Sequence, residues 1–329
     1  MLEHGGNLHD AIRRYGRPRD AWLDLSTGIN PHSWPVPMLE EDAWRRLPES
    51  NAQLLEAAQG YYGGAFLLPV AGTQAAIQTL PRLRKHSRVI TATPSYNEHA
   101  HRWHLAGHTV REVPYAQLES AVDECDVMVV CNPNNPTGET VAPDALKRWA
   151  AKLAARGGWL IVDEAFGDVT PELSVAAAAE QPGLIVLRSV GKFFGLAGLR
   201  LGFVIAEEAV LEKLREAIGP WTVSGPAQQI GAAALSDFKW QSAMRIQLLA
   251  EGARLQELLA AHGIASSGCA LYQYWREKQV AEFAECMARH GIWIRPFTHG
   301  VRLGLPPDEA GWLRLQQALT SWKSQQGTI

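Results

Sequence analysis

Trp159-Leu160-Ile161-Val162-Asp163-Glu164-Ala165-Phe166 is a short apolar run that closes on two carboxylates. Four uninterrupted apolar residues predict a strand buried on both faces, because a strand with one wet face would alternate apolar and polar side chains. The same form recurs along the first two thirds of the chain. Candidate strands fall at 66–70, 88–92, 109–113, 127–131, 159–162, 184–187 and 201–205, with helical patterns at 73–83, 97–106 and 143–155 between them. Strands alternating with helices predict the α/β class, with a mostly parallel central sheet covered by helices on both faces.

In such sheets ligands bind beyond the carboxyl ends of the strands. Gly72, Asn132, Asp163 and Ser189 each fall at or just after the end of a candidate strand, so four chemically useful positions are expected to face one pocket. Ser189 opens the stretch Ser189-Val190-Gly191-Lys192-Phe193-Phe194-Gly195-Leu196-Ala197-Gly198-Leu199-Arg200-Leu201-Gly202. A lysine in that apolar setting suits imine formation, since burial near Phe193, Phe194 and Leu196 would lower its pKa and make it nucleophilic. A surface lysine in a loop is the alternative. Ser189 and Arg200 are candidates to hold a phosphate, Arg200 through a fork of charged donors. Gly72-Thr73-Gln74 starts a helix, where backbone N–H groups bind anions.

A cofactor with a flat nitrogen ring would need more. Asp163 is the candidate partner for a protonated ring nitrogen, against a plain helix-start or turn aspartate; Glu164 suits a structural role. In Asn132-Pro133-Asn134-Asn135-Pro136-Thr137-Gly138 the prolines stiffen the loop, and Asn135 is the candidate hydrogen-bond partner of a ring hydroxyl. Tyr96, in Pro94-Ser95-Tyr96, is the candidate for stacking on the ring, against a core tyrosine.

From about residue 207 the pattern changes to longer helices at 209–218, 227–236 and 240–262, then short strands at 271–276, 292–295 and 301–303 with helices at 278–290 and 308–322. We read an N-terminal arm at 1–30 packing on the small domain and active site, a large domain at 31–234, and a smaller α+β domain at 235–329. Arg295, in Trp293-Ile294-Arg295-Pro296-Phe297, and Arg302, in Val301-Arg302-Leu303-Gly304, sit on adjacent short strands. Such a pair suits a substrate with two anionic ends; arginines paired with surface acids are the alternative.

The chain has 329 residues, 47% of them hydrophobic, enough for one large core and a smaller one. A net charge of −3, with both signs interspersed, points to neither a nucleic-acid surface nor a membrane face. Cys125, Cys131, Cys269 and Cys286 form no Cys-x-x-Cys pair, so neither a metal site nor a disulfide framework is indicated. The N-terminus lacks signal-peptide regions and no apolar run reaches the ~18 residues of a membrane span. A soluble cytoplasmic protein is expected.

In this order the motifs resemble the pyridoxal-phosphate site of fold-type I, aspartate-aminotransferase-like enzymes over most of the chain. The resemblance implies pyridoxal 5'-phosphate bound by Lys192, with Asp163 at the ring nitrogen, Asn135 and Tyr96 at the ring, and Gly72, Thr73, Gln74, Ser189 and Arg200 around the phosphate. Within that family the chain looks closest to the histidinol-phosphate aminotransferase branch. Inside the branch it resembles the threonine-O-3-phosphate decarboxylases of cobalamin biosynthesis. Three features point there: His4-Gly5-Gly6-Asn7, Leu23-Asp24-Leu25-Ser26-Thr27-Gly28-Ile29-Asn30-Pro31, and Phe166 where many aminotransferases carry tyrosine. The implied activity is a lyase reaction, L-threonine O-3-phosphate to (R)-1-amino-2-propanol O-2-phosphate and CO2. By the resemblance Arg302 and the backbone near Gly28 bind the substrate carboxylate, Arg295 with His4 and Asn7 its phosphate, and the enzyme is a homodimer. An aminotransferase of the histidinol-phosphate type uses the same residues. A non-catalytic regulator on this fold usually carries a DNA-binding domain, for which about 30 leading residues are too few. The chain departs from the family in Arg45-Arg46-Leu47-Pro48, with leucine in place of a tyrosine that reaches the neighbouring subunit's cofactor phosphate, and in Val70-Ala71-Gly72 in place of Gly-Asn-Gly. Tyr61 and Tyr62 are candidates to compensate for the missing hydroxyl.

Overall fold

Seven strands form the central sheet in the computed structural model, which describes residues 4–326. In chain order they are β1 (Leu67–Val70), β2 (Arg88–Ala92), β3 (Thr109–Val113), β4 (Val127–Cys131), β5 (Trp159–Asp163), β6 (Leu184–Ser189) and β7 (Gly202–Ile205). Their order across the sheet is β1-β7-β6-β5-β4-β2-β3. β3, β2, β4, β5 and β6 run parallel, whereas β7 is antiparallel to both β6 and β1. The start of β7 therefore lies at the edge where the parallel strands end. Ser189 pairs with Gly202, Gly202 with Val70, and Cys131 with Asp163.

The apolar runs are buried as their composition requires. Val127, Val129, Ile161, Ile185, Leu187 and Val204 join Leu68, Val70, Ile77, Trp103 and Leu214 in one core cluster. The helix Pro143–Ala154 opens on a proline at its first turn, where the missing N–H costs nothing. It buries Leu146, Trp149, Ala150 and Leu153, a stripe at helical spacing. The pattern expected as one helix at 73–83 divides into an α-helix, Thr73–Thr79, and a 3-10 turn, Leu80–Leu83, because Pro81 cannot donate to the ladder. The helix Ala52–Tyr62 was not expected from the sequence; Asn51 caps it by accepting from the Leu54 N–H at 3.2 Å.

The chain divides into two compact units. Residues 33–135 and 139–244 hold the seven-stranded sheet; of the described residues, 4–32, 136–138 and 245–326 form the other unit. The second unit carries a four-stranded sheet with Arg295–Phe297, Gly300–Gly304, Tyr272–Arg276 and Ser267–Cys269 side by side. The strand expected at 292–295 breaks at Ile294: Ile292–Trp293 pairs in parallel with Leu23–Asp24, and Arg295–Phe297 forms a hairpin with Gly300–Gly304. The N-terminal helix Leu8–Tyr15 packs through Ala11 against Trp22 and Ala288, and the Tyr15 hydroxyl donates to Glu285 at 2.6 Å. Among the described residues no helix is long and apolar enough to cross a membrane, and the four cysteines are free.

Candidate active site

The register of the sheet places Gly72, Asp163, Ser189 and Arg200 along one edge of the 33–244 unit. Gly72 has φ +71°, a conformation that only glycine adopts without strain, and caps the helix starting at Thr73. A Cβ on Gly72 would lie 2.5 Å from Nη2 of Arg200, so the guanidinium sits over the helix start and no side chain can intervene. Arg200 itself is left-handed, φ 54° and ψ 50°, a non-glycine strain of the kind found where a side chain must be aimed. Its Nη1 donates to the Ala197 carbonyl at 3.0 Å. A Cβ on Gly202 would lie 2.8 Å from the Thr73 nitrogen, so the helix start is pressed against β7. Backbone N–H groups, a guanidinium and the nearly buried Ser189 hydroxyl make a donor set for a phosphate.

Asp163 ends β5 and is 5% exposed. One of its oxygens accepts the Ala165 N–H at 3.0 Å, and the other meets Nε2 of His99 at 2.8 Å. His99 is equally buried. Desolvation alone would depress its pKa, but hydrogen bonds to Asp163 and Cys131 outweigh burial and raise it to about 10. The pair is therefore a carboxylate backed by an imidazolium. His99 was not expected from the sequence; its one visible signal there is its place three residues after Tyr96. Tyr96 meets the His99 ring edge-on at 5.9 Å, and its hydroxyl lies 3.3 Å from Oε1 of Gln74. Burial raises the Tyr96 pKa. Gln74 in turn donates to the buried Glu98 at 2.7 Å.

Lys192 is half-buried, with its Nζ 5.3 Å from the centre of the Phe166 ring. Phe193 and Phe194 are buried and pack on Trp240, anchoring the turn that carries the lysine. The Asn132–Asn135 segment is held by its other asparagines. Asn132 bonds both backbone groups of Val141, while Asn134 donates to the Pro94 carbonyl at 2.9 Å and accepts from Ser95 at 2.7 Å. Asn135 stays partly exposed. Glu164 does structural work: it accepts from Arg188 and Ser174 at 2.5 Å each and from the Val175 N–H at 2.8 Å. Arg188 also binds Asp168 at 2.9 Å and lies over the Tyr62 ring at 4.5 Å. Of the two tyrosines considered for the role of Leu47, Tyr62 is thus buried against Arg188, and Tyr61 packs on Phe194. Leu47 is exposed.

The resemblance calls for pyridoxal phosphate, and the chemistry of this donor set fits it. A buried carboxylate suits a cationic ring nitrogen, an amine stands by an aromatic ring, and the helix start with Arg200 offers an anion cradle.

In the other unit, Arg302 is 5% exposed and donates to the Ser26 carbonyl at 2.6 Å. Burial, aided by the charge of Arg295, lowers its pKa to about 10. Arg295 is its direct cross-strand partner, so two cations share one face. Ser26 also fixes the arm: its hydroxyl accepts the Gly6 N–H at 2.7 Å, and a side chain on Gly5 would collide with the Ser26 carbonyl. Gly28, at φ +63°, lies against Gly304 beside this turn. The sequence-read residues His4 and Gly28 thus belong to chain segments gathered at Ser26 near Arg302. Asn7 turns instead to its own helix, where its side chain bonds Asp10.

Fold and site together define a protein of the class I and II aminotransferase family; the chain belongs to it, the family model matching residues 41–325. Over 326 residues it is 52% identical to a threonine-phosphate decarboxylase of Pseudomonas aeruginosa, covering 98% of each chain. It is 44% identical over 330 residues to a threonine-phosphate decarboxylase of a Sinorhizobium species, covering 97% of each. The fold is shared with a solved histidinol-phosphate aminotransferase from Sinorhizobium meliloti in complex with pyridoxal-5'-phosphate, at TM-score 0.81 and 21% identity over 98% of this chain and 96% of that one.

Proposed function

We propose that this chain is a pyridoxal-phosphate-dependent decarboxylase that converts L-threonine O-3-phosphate to (R)-1-amino-2-propanol O-2-phosphate and CO2 in adenosylcobalamin biosynthesis. The observation that carries the reading is its 52% identity with the Pseudomonas aeruginosa decarboxylase along 98% of both chains. The proposal includes a cytoplasmic homodimer. Exposed Met38, Trp44, Leu47 and Trp221 support a subunit contact.

When bound, pyridoxal phosphate stores the electron pair released as a bond to the substrate α-carbon breaks. Lys192 holds the cofactor covalently, with Asp163 at its ring nitrogen and Asn135 at its ring hydroxyl. Tyr96 lies against the ring, and the Thr73–Gln74 amides, Ser189 and Arg200 hold its phosphate. Arg302 and the backbone near Gly28 take the substrate carboxylate, and Arg295 and His4 its phosphate. Two arginines paired across neighbouring strands put two positive charges on one face, which suits a substrate with an anion at each end. Holding both ends sets which bond of the α-carbon stands perpendicular to the ring, and this orientation is the protein's main contribution. Once the substrate amine has taken its place at the cofactor, the freed Nζ of Lys192 would be the group that returns a proton to the carbon that lost CO2.

A single-turnover assay with carboxyl-labelled threonine phosphate tests the reading. Labelled CO2 released in step with substrate loss is expected. Transfer of the amino group to a keto-acid acceptor without labelled CO2 contradicts decarboxylation and favours an aminotransferase.

A further inference from the structure

We infer that Cys131 is a positioning residue of this active site: its sulfur, beside the His99 imidazole, fixes the ring that in turn holds the Asp163 carboxylate. The inference takes its functional meaning from the pyridoxal-phosphate reading above. Cys131 ends β4 and is paired in register with Asp163, which ends β5. Paired residues on neighbouring strands lie about 4.8 Å apart and project from the same face of the sheet. His99 reaches that face from the helix Asn97–Leu105. The imidazole nitrogen, the sulfur and a carboxylate oxygen all lie within 4.8 Å of one another. All three residues are buried, at 3% exposure for His99 and 5% for each of the others.

The geometry leaves the imidazole little freedom. Asp163 meets Nε2 at 2.8 Å, and Tyr96 stands edge-on to the ring at 83°. Without the sulfur, nothing in this trio would stop the ring from tilting about its bond to Asp163. The two groups that raise the charge of His99 are Asp163 and Cys131; Glu98, on the same helix, is engaged instead by Gln74 and Arg102. The carboxylate meets the ring nitrogen and the sulfur lies beside it, surroundings that favour the doubly protonated ring. Asp163 can be anchored only as firmly as its partner. A looser His99 would let the carboxylate drift from the position where it faces a ring nitrogen.

The test uses full-chain Cys131→Ala and Cys131→Ser, with Cys286→Ala, a buried cysteine of the other unit, as control. The His99 imidazole is titrated by NMR in cofactor-free protein. Its midpoint is expected to fall by about one unit or more in Cys131→Ala, to recover in part in Cys131→Ser, and to stay unchanged in the control. In protein loaded with pyridoxal phosphate, the pH midpoint of the visible absorbance is expected to move in the same order, with kcat reduced several-fold and KM little changed. A His99 midpoint in both Cys131 variants equal to that of the wild type overturns the inference. That readout needs no cofactor, so it stands even if the protein binds no pyridoxal phosphate, a result that would instead sink the proposed function.

Discussion

Asp163 is a carboxylate taken almost wholly out of water, a state that costs several kcal/mol unless partners replace the lost hydration. The Ala165 N–H and His99 are those partners. His99 carries a pH signature. Its folded-state pKa, raised to about 10, stands above the ordinary imidazole value of 6.5. Its stabilising contribution is therefore fully present below pH 6.5 and is lost as pH rises through 10. Each pKa unit is worth about 1.4 kcal/mol, so the loss amounts to a few kcal/mol. Denaturant midpoints measured from pH 6 to 10 should fall more steeply for the wild type than for His99→Gln; parallel slopes would contradict the linkage. At this scale the sequence was partly legible. Lys192, Asp163, Ser189 and Arg200 stood out as chemistry-bearing residues at the ends of apolar runs. His99 did not, because its partner lies 64 residues away and no local pattern records that contact. Asn134 and Arg188 were passed over for the same reason.

Elements were legible where periodicity alone decides them. The β2, β3 and β4 bounds match the expected strands residue for residue; β4, buried along its whole length, has a hydrophobic signature of its own, whereas β3, at the sheet edge, is mostly exposed. Strand direction has no such signature, so the reversal of β7 could not be read, although it brings Arg200 to the edge where β5 and β6 end. The helices Leu8–Tyr15 and Ala52–Tyr62 were missed: the first is only two turns long, although Leu8, Ala11, Ile12 and Tyr15 make a stripe at helical spacing, and in the second small and polar residues interrupt the stripe. The close packing of β7 against the helix start makes a testable demand. A Cβ at Gly202 would lie 2.8 Å from the Thr73 nitrogen and 2.9 Å from the Arg188 carbonyl, both rigid backbone atoms. Gly202→Ala should cost about 1–3 kcal/mol by overpacking and weaken pyridoxal phosphate binding at least roughly tenfold, a loss of about 1.4 kcal/mol. Gly198→Ala, which meets nothing within 4 Å, should leave melting temperature and cofactor affinity unchanged. Equal affinities for the two variants would contradict this view of the cradle.

At the scale of the whole molecule, alternating strands and helices announced the α/β class. They did not announce how the chain is shared between units. Pro136–Gly138 belongs with residues 4–32 and 245–326. The left-handed Gly138, at φ +75°, lies so close to the Gly268 carbonyl that no side chain would fit. A three-residue excursion of this kind leaves no trace in composition. The whole account turns on a covalent bond between pyridoxal phosphate and one amine, and borohydride reduction of the loaded protein followed by peptide mapping tests it most directly. The account predicts a single cofactor adduct, on Lys192, that disappears in Lys192→Ala. An adduct on another lysine, or none, would contradict it.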